Sequence, residues 1–299
     1  MCKNDLIEYV VWTRVQLPSA PPYVEPKNNF KNLGGSGHIG GYRMTYITGD
    51  CHAKFDRFST KQFPDQKGMT KDDYVIICGD FGGVWNHSMP TPEENYWLDW
   101  LNDKPFTTLF VDGNHENFDR LKDFPRKKWN GGMVHEIRPS VLHLMRGYVF
   151  NLDGKKFFTF GGAKSHDIQD GILDPKNYKS LSDLVKDYNF RTFYLKQMLR
   201  INHYSWWADE LPATSEMKRG IKNLQKVDFK VDYVISHCLP LSVINVLYSD
   251  DSDRLTRYFD SLINEYGLDF KRWFAGHYHT KRTLFSKYEI HYEDIERIL

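Results

Sequence analysis

Five times in this chain a short apolar run breaks directly into a cluster of polar residues: MTYITGDCH from Met44, YVIICGDFGG from Tyr74, FTTLFVDGNHE from Phe106, YVISHCLP from Tyr233 and RWFAGHYH from Arg272. Short β-branched and aromatic runs bounded by glycine and aspartate read as buried strands. Helical candidates lie between them, at 92–103 with Tyr96, Trp97, Trp100 and Leu101, and at 252–266 with Leu255, Phe259, Leu262 and Ile263 at helical spacing. Strands alternating with helices predict a buried, mostly parallel sheet. Residues 141–161 differ, because VLHLM, YVFNL and KFFTFG are separated only by RG and DGK turns, which predicts an antiparallel meander in the middle of the chain. Two stacked sheets are the expected outcome.

The third junction, VDGNHENFD at 111–119, is the densest in polar groups. Alone it has two readings: a strand ending in an ordinary Asp/Gly/Asn turn, or a metal or catalytic loop at the carboxyl end of a parallel strand, where open α/β sheets place ligands. The other four junctions favour the second. Composition bounds the chemistry further. Forty basic side chains against thirty-nine acidic ones give a net charge of +1, so no global field recruits nucleic acid or an anionic membrane, and an anionic substrate has to be drawn locally. Four widely spaced cysteines without a CxxC (Cys2, Cys51, Cys78, Cys238) read as a reduced, cytoplasmic protein. No apolar run approaches the length of a membrane span.

Residues 1–43 mix prolines, glycines and polar residues without a sustained period, and are expected to be a disordered or non-native extension. The stretch TRVQLPSAPP looks like the translated 3′ end of a transfer-RNA gene, Asp5 and Glu8 interrupt any signal-peptide pattern, and Met44 opens the first strand. One domain over 44–299 is the expectation.

The junctions collect Asp50 and His52, Asp80, Asn114 and His115, His237, and His277 and His279. Divalent Mn, Fe and Zn accept imidazole nitrogen together with carboxylate oxygen, and every one of these residues can serve a metal site. In GDCH and GHYH the pair sits at i and i+2, so an extended backbone would project both to one side. Gly49, Gly79, Gly113 and Gly276 precede the polar residues and leave room for sharp turns.

This ordered set, DxH, GDxx, GNHE, an isolated His and GHxH, resembles the calcineurin-like metallophosphoesterase superfamily over Met44 to about Tyr292. The resemblance implies a four-layer α/β/β/α sandwich of two mixed sheets with the site at the strands' carboxyl ends. It implies two divalent ions, manganese first, with iron, zinc or nickel as alternatives. Asp50, His52 and His279 would hold one, Asn114, His237 and His277 the other, and Asp80 would bridge them. Such a pair polarises a phosphoryl group and activates solvent for in-line attack. His115 would then donate a proton or hydrogen bond to the leaving oxygen, with Asp112 or Glu116 as its carboxylate partner. The chain departs from the pattern at Gly83 and Val84, where protein phosphatases carry aspartate and arginine, and at Ala53, where many members have glycine.

Other features carry plainer readings. His38 and His143 read as surface or packing histidines, Cys51 and Cys238 as small buried residues, and RKKW at 126–129 as solvated surface. Trp206 and Trp207 either wall the cleft or belong to the core. GGAKSHD at 161–167 reads as an ordinary loop, with a place at the site's border as the alternative. The expected activity is metal-dependent hydrolysis of a phosphate ester, a phosphodiester or nucleotide ahead of a phosphomonoester. A non-catalytic scaffold and a nuclease are the alternatives, and nucleic acid is not favoured as a partner. Neither a membrane role nor a particular oligomeric state is indicated.

Overall fold

The computed structural model describes residues 43–248 and 252–299; the expectations for the amino-terminal extension and for His38 lie outside the described residues. The strands are β1 (Thr45–Thr48), β2 (Tyr74–Ile77), β3 (Thr107–Phe110), β4 (Arg126–Trp129), β5 (Gly132–Arg138), β6 (Val141–Leu144), β7 (Tyr148–Leu152), β8 (Lys155–Phe160), β9 (Ile172–Leu173), β10 (Arg200–Ile201), β11 (Tyr233–Ser236), β12 (Arg272–Ala275), β13 (Arg282–Leu284), β14 (Tyr288–Ile290) and β15 (Ile295–Arg297). They form a seven-stranded sheet, β15-β1-β2-β3-β6-β5-β4, and a six-stranded sheet, β13-β14-β12-β11-β8-β7, with β9 and β10 paired apart. Each large sheet has a parallel centre, β1-β2-β3-β6 in one and β14-β12-β11-β8 in the other, with antiparallel strands outside.

Period-two alternation along the central strands builds three apolar layers. Ile47, Ile76, Leu109 and Val111 of the first sheet meet Phe157, Tyr233, Ile235 and Phe274 of the second in one cluster between the sheets. Their neighbours point outward: Tyr46, Val75, Ile77 and Phe110 meet Trp97, Leu98 and Leu101 of the helix Pro92–Asn102. On the other side Phe158, Val234 and Trp273 meet Leu224 of the helix Thr214–Gln225 and Leu255, Phe259 and Leu262 of the helix Arg254–Asn264. Helix, sheet, sheet, helix is the four-layer order that the family resemblance implies.

Local chemistry sets the helix starts. Thr91 accepts the Glu94 N–H ahead of Pro92 at the first helical position, and Asp253 accepts the N–H groups of Leu255 and Thr256. The meander over 141–161 is corrected. β6 is already paired on both sides, parallel to β3 and antiparallel to β5. With no free edge beside it, the chain leaves the first sheet through the RG turn, and β7 and β8 pair as a hairpin in the second.

Candidate metal centre

All five junctions end at one place. β1, β2 and β3 deliver Asp50 and His52, Asp80, and Asn114 and His115 from the first sheet; β11 and β12 deliver His237, and His277 and His279, from the second. The loops are laced together by main-chain bonds: the N–H groups of Cys51 and His52 donate to Asp80 O at 3.0 and 2.8 Å, and Gly276 N donates to His237 O at 3.0 Å. The i, i+2 pairs are not extended as expected. His52, His277 and His279 have φ of 45°, 70° and 47°, so tight left-handed turns aim these side chains. Ala53 shares that conformation at φ 62°, which makes the exchange of glycine for alanine there a strained one. Gly113 and Gly276 serve close approach: a Cβ on the first would overlap the Asp80 carboxylate, and one on the second the Asp50 carboxylate.

Donor atoms of Asp50, His52 and His279 lie within 4.8 Å of one another, as do those of Asp50, Asp80 and His237, and those of His52, Asp80 and His115. The Nε2 atoms of His52 and His279 stand 3.0 Å apart, at 3.6 and 3.1 Å from Asp50 Oδ2. His237 Nε2 is 3.3 Å from Asp80 Oδ1 while its Nδ1 donates to Cys78 O at 2.7 Å. Asp50 and Asp80 are almost wholly buried. Burial alone would raise both carboxyl groups, but His237 foremost, with the other imidazoles, outweighs it and holds them well below the ordinary carboxylate range. Burial likewise opposes the charge on His237, and Asp80 and Asp50 override it and push the group up to about 9. His277 joins none of the three-residue clusters; its ring packs against that of His237 at 4.9 Å. Asn114 is buried beside them with its Oδ1 unpartnered. Two buried carboxylates ringed by imidazoles, with a bare amide oxygen among them, are the donor set a pair of divalent cations would take.

His115 is anchored at this centre, its backbone N–H donating to Asp80 Oδ1 at 2.8 Å and its Nε2 lying 4.0 Å from Asp80 Oδ2. Burial pushes its imidazole down to about 4, against the pull of Asp80. Neither expected carboxylate partner reaches it. Asp112 is held by Arg146 and by His143, whose Nε2 lies 3.0 Å away, while Glu116 accepts the N–H groups of Phe81 and Gly82 at 2.7 and 3.4 Å. Both carboxylates brace the loops that carry the site. His143 is a packing histidine as expected, buried and 2.9 Å from the Nδ1 of His135.

The plainer reading of GGAKSHD is overturned. This loop follows β8 as the other junctions follow their strands, and it brings His166 Nε2 to 3.0 Å from His277 Nε2 and Ser165 Oγ to 3.3 Å from Asn114 Nδ2. Asp167 behind them is gripped by Arg200 through two bonds of 2.9 and 2.6 Å. The signal was the shared strand-to-loop design; SHD simply matched none of the five motif pieces. Trp207 is core, packed on Trp85 with its Nε1 donating to Asp119 at 2.7 Å, and Trp206 is half-buried. Trp85, 6.0 Å from His115, is the indole beside the site. Cys51 and Cys238 are buried packing residues, and Arg126, Lys127 and Lys128 are exposed on the edge strand β4. A further acidic cluster, Glu289, His291 and Glu296, is neutralised by Arg272 and Lys281.

The family model for calcineurin-like phosphoesterases matches residues 44–281. Among curated proteins, the lariat debranching enzyme of Gallus gallus is 25% identical over 261 residues, covering 81% of this chain and 44% of its own. Lariat debranching enzyme A of Xenopus laevis is 28% identical over 169 residues, 51% of this chain and 30% of its own. The Schizosaccharomyces pombe enzyme is 29% identical over 167 residues, 51% of this chain and 33% of its own. The chain spans less than half the length of these relatives. With the match running from the first strand through the GHYH junction, the chain belongs to the calcineurin-like phosphoesterase family.

Proposed function

We propose that this chain is a metal-dependent phosphodiesterase with a dinuclear centre. Asp50, His52 and His279 would hold one ion, Asn114, His237 and His277 would hold the other, Asp80 would serve both, and manganese is the first choice of metal. The observation that carries this reading is the meeting of Asp50 and Asp80, both buried, with imidazoles from both sheets. Such ions, when bound, polarise a phosphate ester and make a nucleophile available at neutral pH.

The chain's own residues divide the remaining work. Asp80 and Asp50 supply the negative charge that holds the cations, and the tight turns at His52, His277 and His279 aim their rings inward. His115, anchored by its main chain, presents an imidazole to the leaving oxygen of the ester. Val84, fully buried in the core, offers no phosphate grip of the protein-phosphatase kind.

A nucleotide or nucleic-acid phosphodiester is the favoured substrate class. The relatives are named for lariat debranching, which moves nucleic acid ahead of the place that a net charge of +1 suggested. Local charge supports the same direction: in residues 172–199, the segment after the SHD loop, Lys176, Lys179, Lys186 and Lys196 are exposed, with Phe190, Phe193 and Tyr194 exposed among them. Basic side chains interleaved with exposed rings suit a polynucleotide strand. No helix of the described residues is long and apolar enough to cross a membrane. Buried free thiols at Cys51 and Cys78 suit a reduced cytoplasm. The test is a panel of aryl phosphodiesters, aryl phosphomonoesters, cyclic nucleotides and oligoribonucleotides, assayed with Mn²⁺, Ni²⁺, Zn²⁺ and Mg²⁺ after chelation. Diester cleavage with Mn²⁺ is expected; turnover of nothing with any metal would leave a scaffold.

A further inference from the structure

Ligand side chains have two chemically different ends, and something must decide which end faces the ion. An amide binds a cation through oxygen, and a neutral imidazole through whichever nitrogen lacks a proton. His237 has this decided by the core, since its Nδ1–H is spent on Cys78 O and Nε2 is the end left to face the ion. Asn114 and His277 find their partners on one loop, at two consecutive residues.

We infer that Ser165 and His166 are positioning residues for the second ion, an inference that rests on the dinuclear reading above. Ser165 is locked first: its Oγ donates to Glu210 Oε2 at 2.6 Å and its N–H to Glu210 Oε1 at 3.1 Å. With the hydroxyl proton spent, only lone pairs face Asn114, whose Nδ2 donates to Ser165 Oγ at 3.3 Å. The amide is thereby turned so that Oδ1 faces inward, where it has no protein partner. A flipped amide would set two acceptors against each other.

His166 does the same for His277. Their Nε2 atoms stand 3.0 Å apart and their rings stack at 5.0 Å. When His277 donates its Nε2–H to His166, Nδ1 becomes the bare nitrogen of His277, just as a spent Nδ1 frees Nε2 on His237. Metal-bound histidines ordinarily have their other nitrogen engaged in this way, and loss of such a partner weakens metal affinity about 10–100-fold.

The first ion's residues take support elsewhere: His52 and His279 face Asp50, which accepts the backbone N–H of His277 at 2.8 Å. Weakening should therefore fall on one ion only. The experiment is calorimetric titration of the full chain, stripped of metal, with Mn²⁺. Wild type should take up two ions. Ser165→Ala and His166→Ala should bind the first as wild type does, which also reports an intact fold, and the second about 10–100-fold more weakly. His166→Gln, whose Oε1 accepts the same proton, should recover most of the loss. Unchanged affinity for the second ion in both alanine variants would overturn the inference. So would a visible spectrum of the Co²⁺-loaded His166→Gln protein showing a changed ligand number, because His166 would then be a ligand itself. A wild type that takes up only one ion defeats the dinuclear reading instead, and the two failures are distinct.

Discussion

The backbone N–H of His115 donates to Asp80 Oδ1 at 2.8 Å, so the residue proposed as the acid is fixed to the central carboxylate by its main chain and not by its ring. Ring and anchor are therefore separable. His115→Ala should keep both ions while lowering turnover by about 10²–10⁴-fold, the usual worth of a positioned acid. Esters with good leaving groups should suffer least, since they need least protonation. Metal content and a leaving-group series check this; an ion lost from the variant would place His115 among the ligands.

Asp80 should be the most sensitive position for metal. Its carboxylate faces His237, His52 and His115 from the centre of the site, and placed between two cations it would screen like charges that repel strongly at short range. Asp80→Asn should weaken both sites together, whereas His52→Ala should leave about one ion bound, with both variants inactive. Metal stoichiometry after dialysis against a weak chelator separates them. Two ions retained in Asp80→Asn would remove the bridge from the scheme.

Gly276→Ala changes no ligand, yet the added Cβ would overlap Asp50 Oδ1 and crowd Cys78 O and His237 Nδ1. The Asp50 carboxylate has little freedom to yield, because it also accepts the His277 N–H. The variant should fold, by its circular dichroism, and lose most of its metal. Full metal loading would mean that the junction loops are softer than their main-chain bonds suggest.

Away from the site, the buried pair His135 and His143 makes a pH prediction. Burial, then the neighbouring His143, pulls His135 down to about 3, against an unfolded value of about 6.5. Between these values the unfolded chain binds the extra proton, so this contribution to stability is full above about pH 6.5 and drains away as pH falls toward 3. Thermal midpoints measured from pH 7 to 4 should fall less steeply in His135→Gln than in wild type. Parallel curves would show that His135 titrates normally in the folded chain.

How much of this was legible in sequence depends on range. The central strands, the helices at 92–102 and 254–264 and the order of the ligand-bearing junctions could all be read directly, because period-two and helical spacing, capping residues and glycine turns act over a few residues. The partition of strands between sheets could not. VLHLM and YVFNL look like neighbours in a meander, and only the occupied edges of β6 send the second to the other sheet.

The same limit governed the site. Local sequence determined which residues could ligate, since each of the seven sits in a short motif behind a strand. Tertiary structure alone decided their supports. Asp112 lies beside the histidine motif yet turns to Arg146, 34 residues on. Asn114 takes its orientation from Ser165, 51 residues away, and Ser165 from Glu210, 45 further. Ligand type is a property of one side chain and its immediate neighbours, whereas the end it presents is set by whichever polar group the fold carries to its other side.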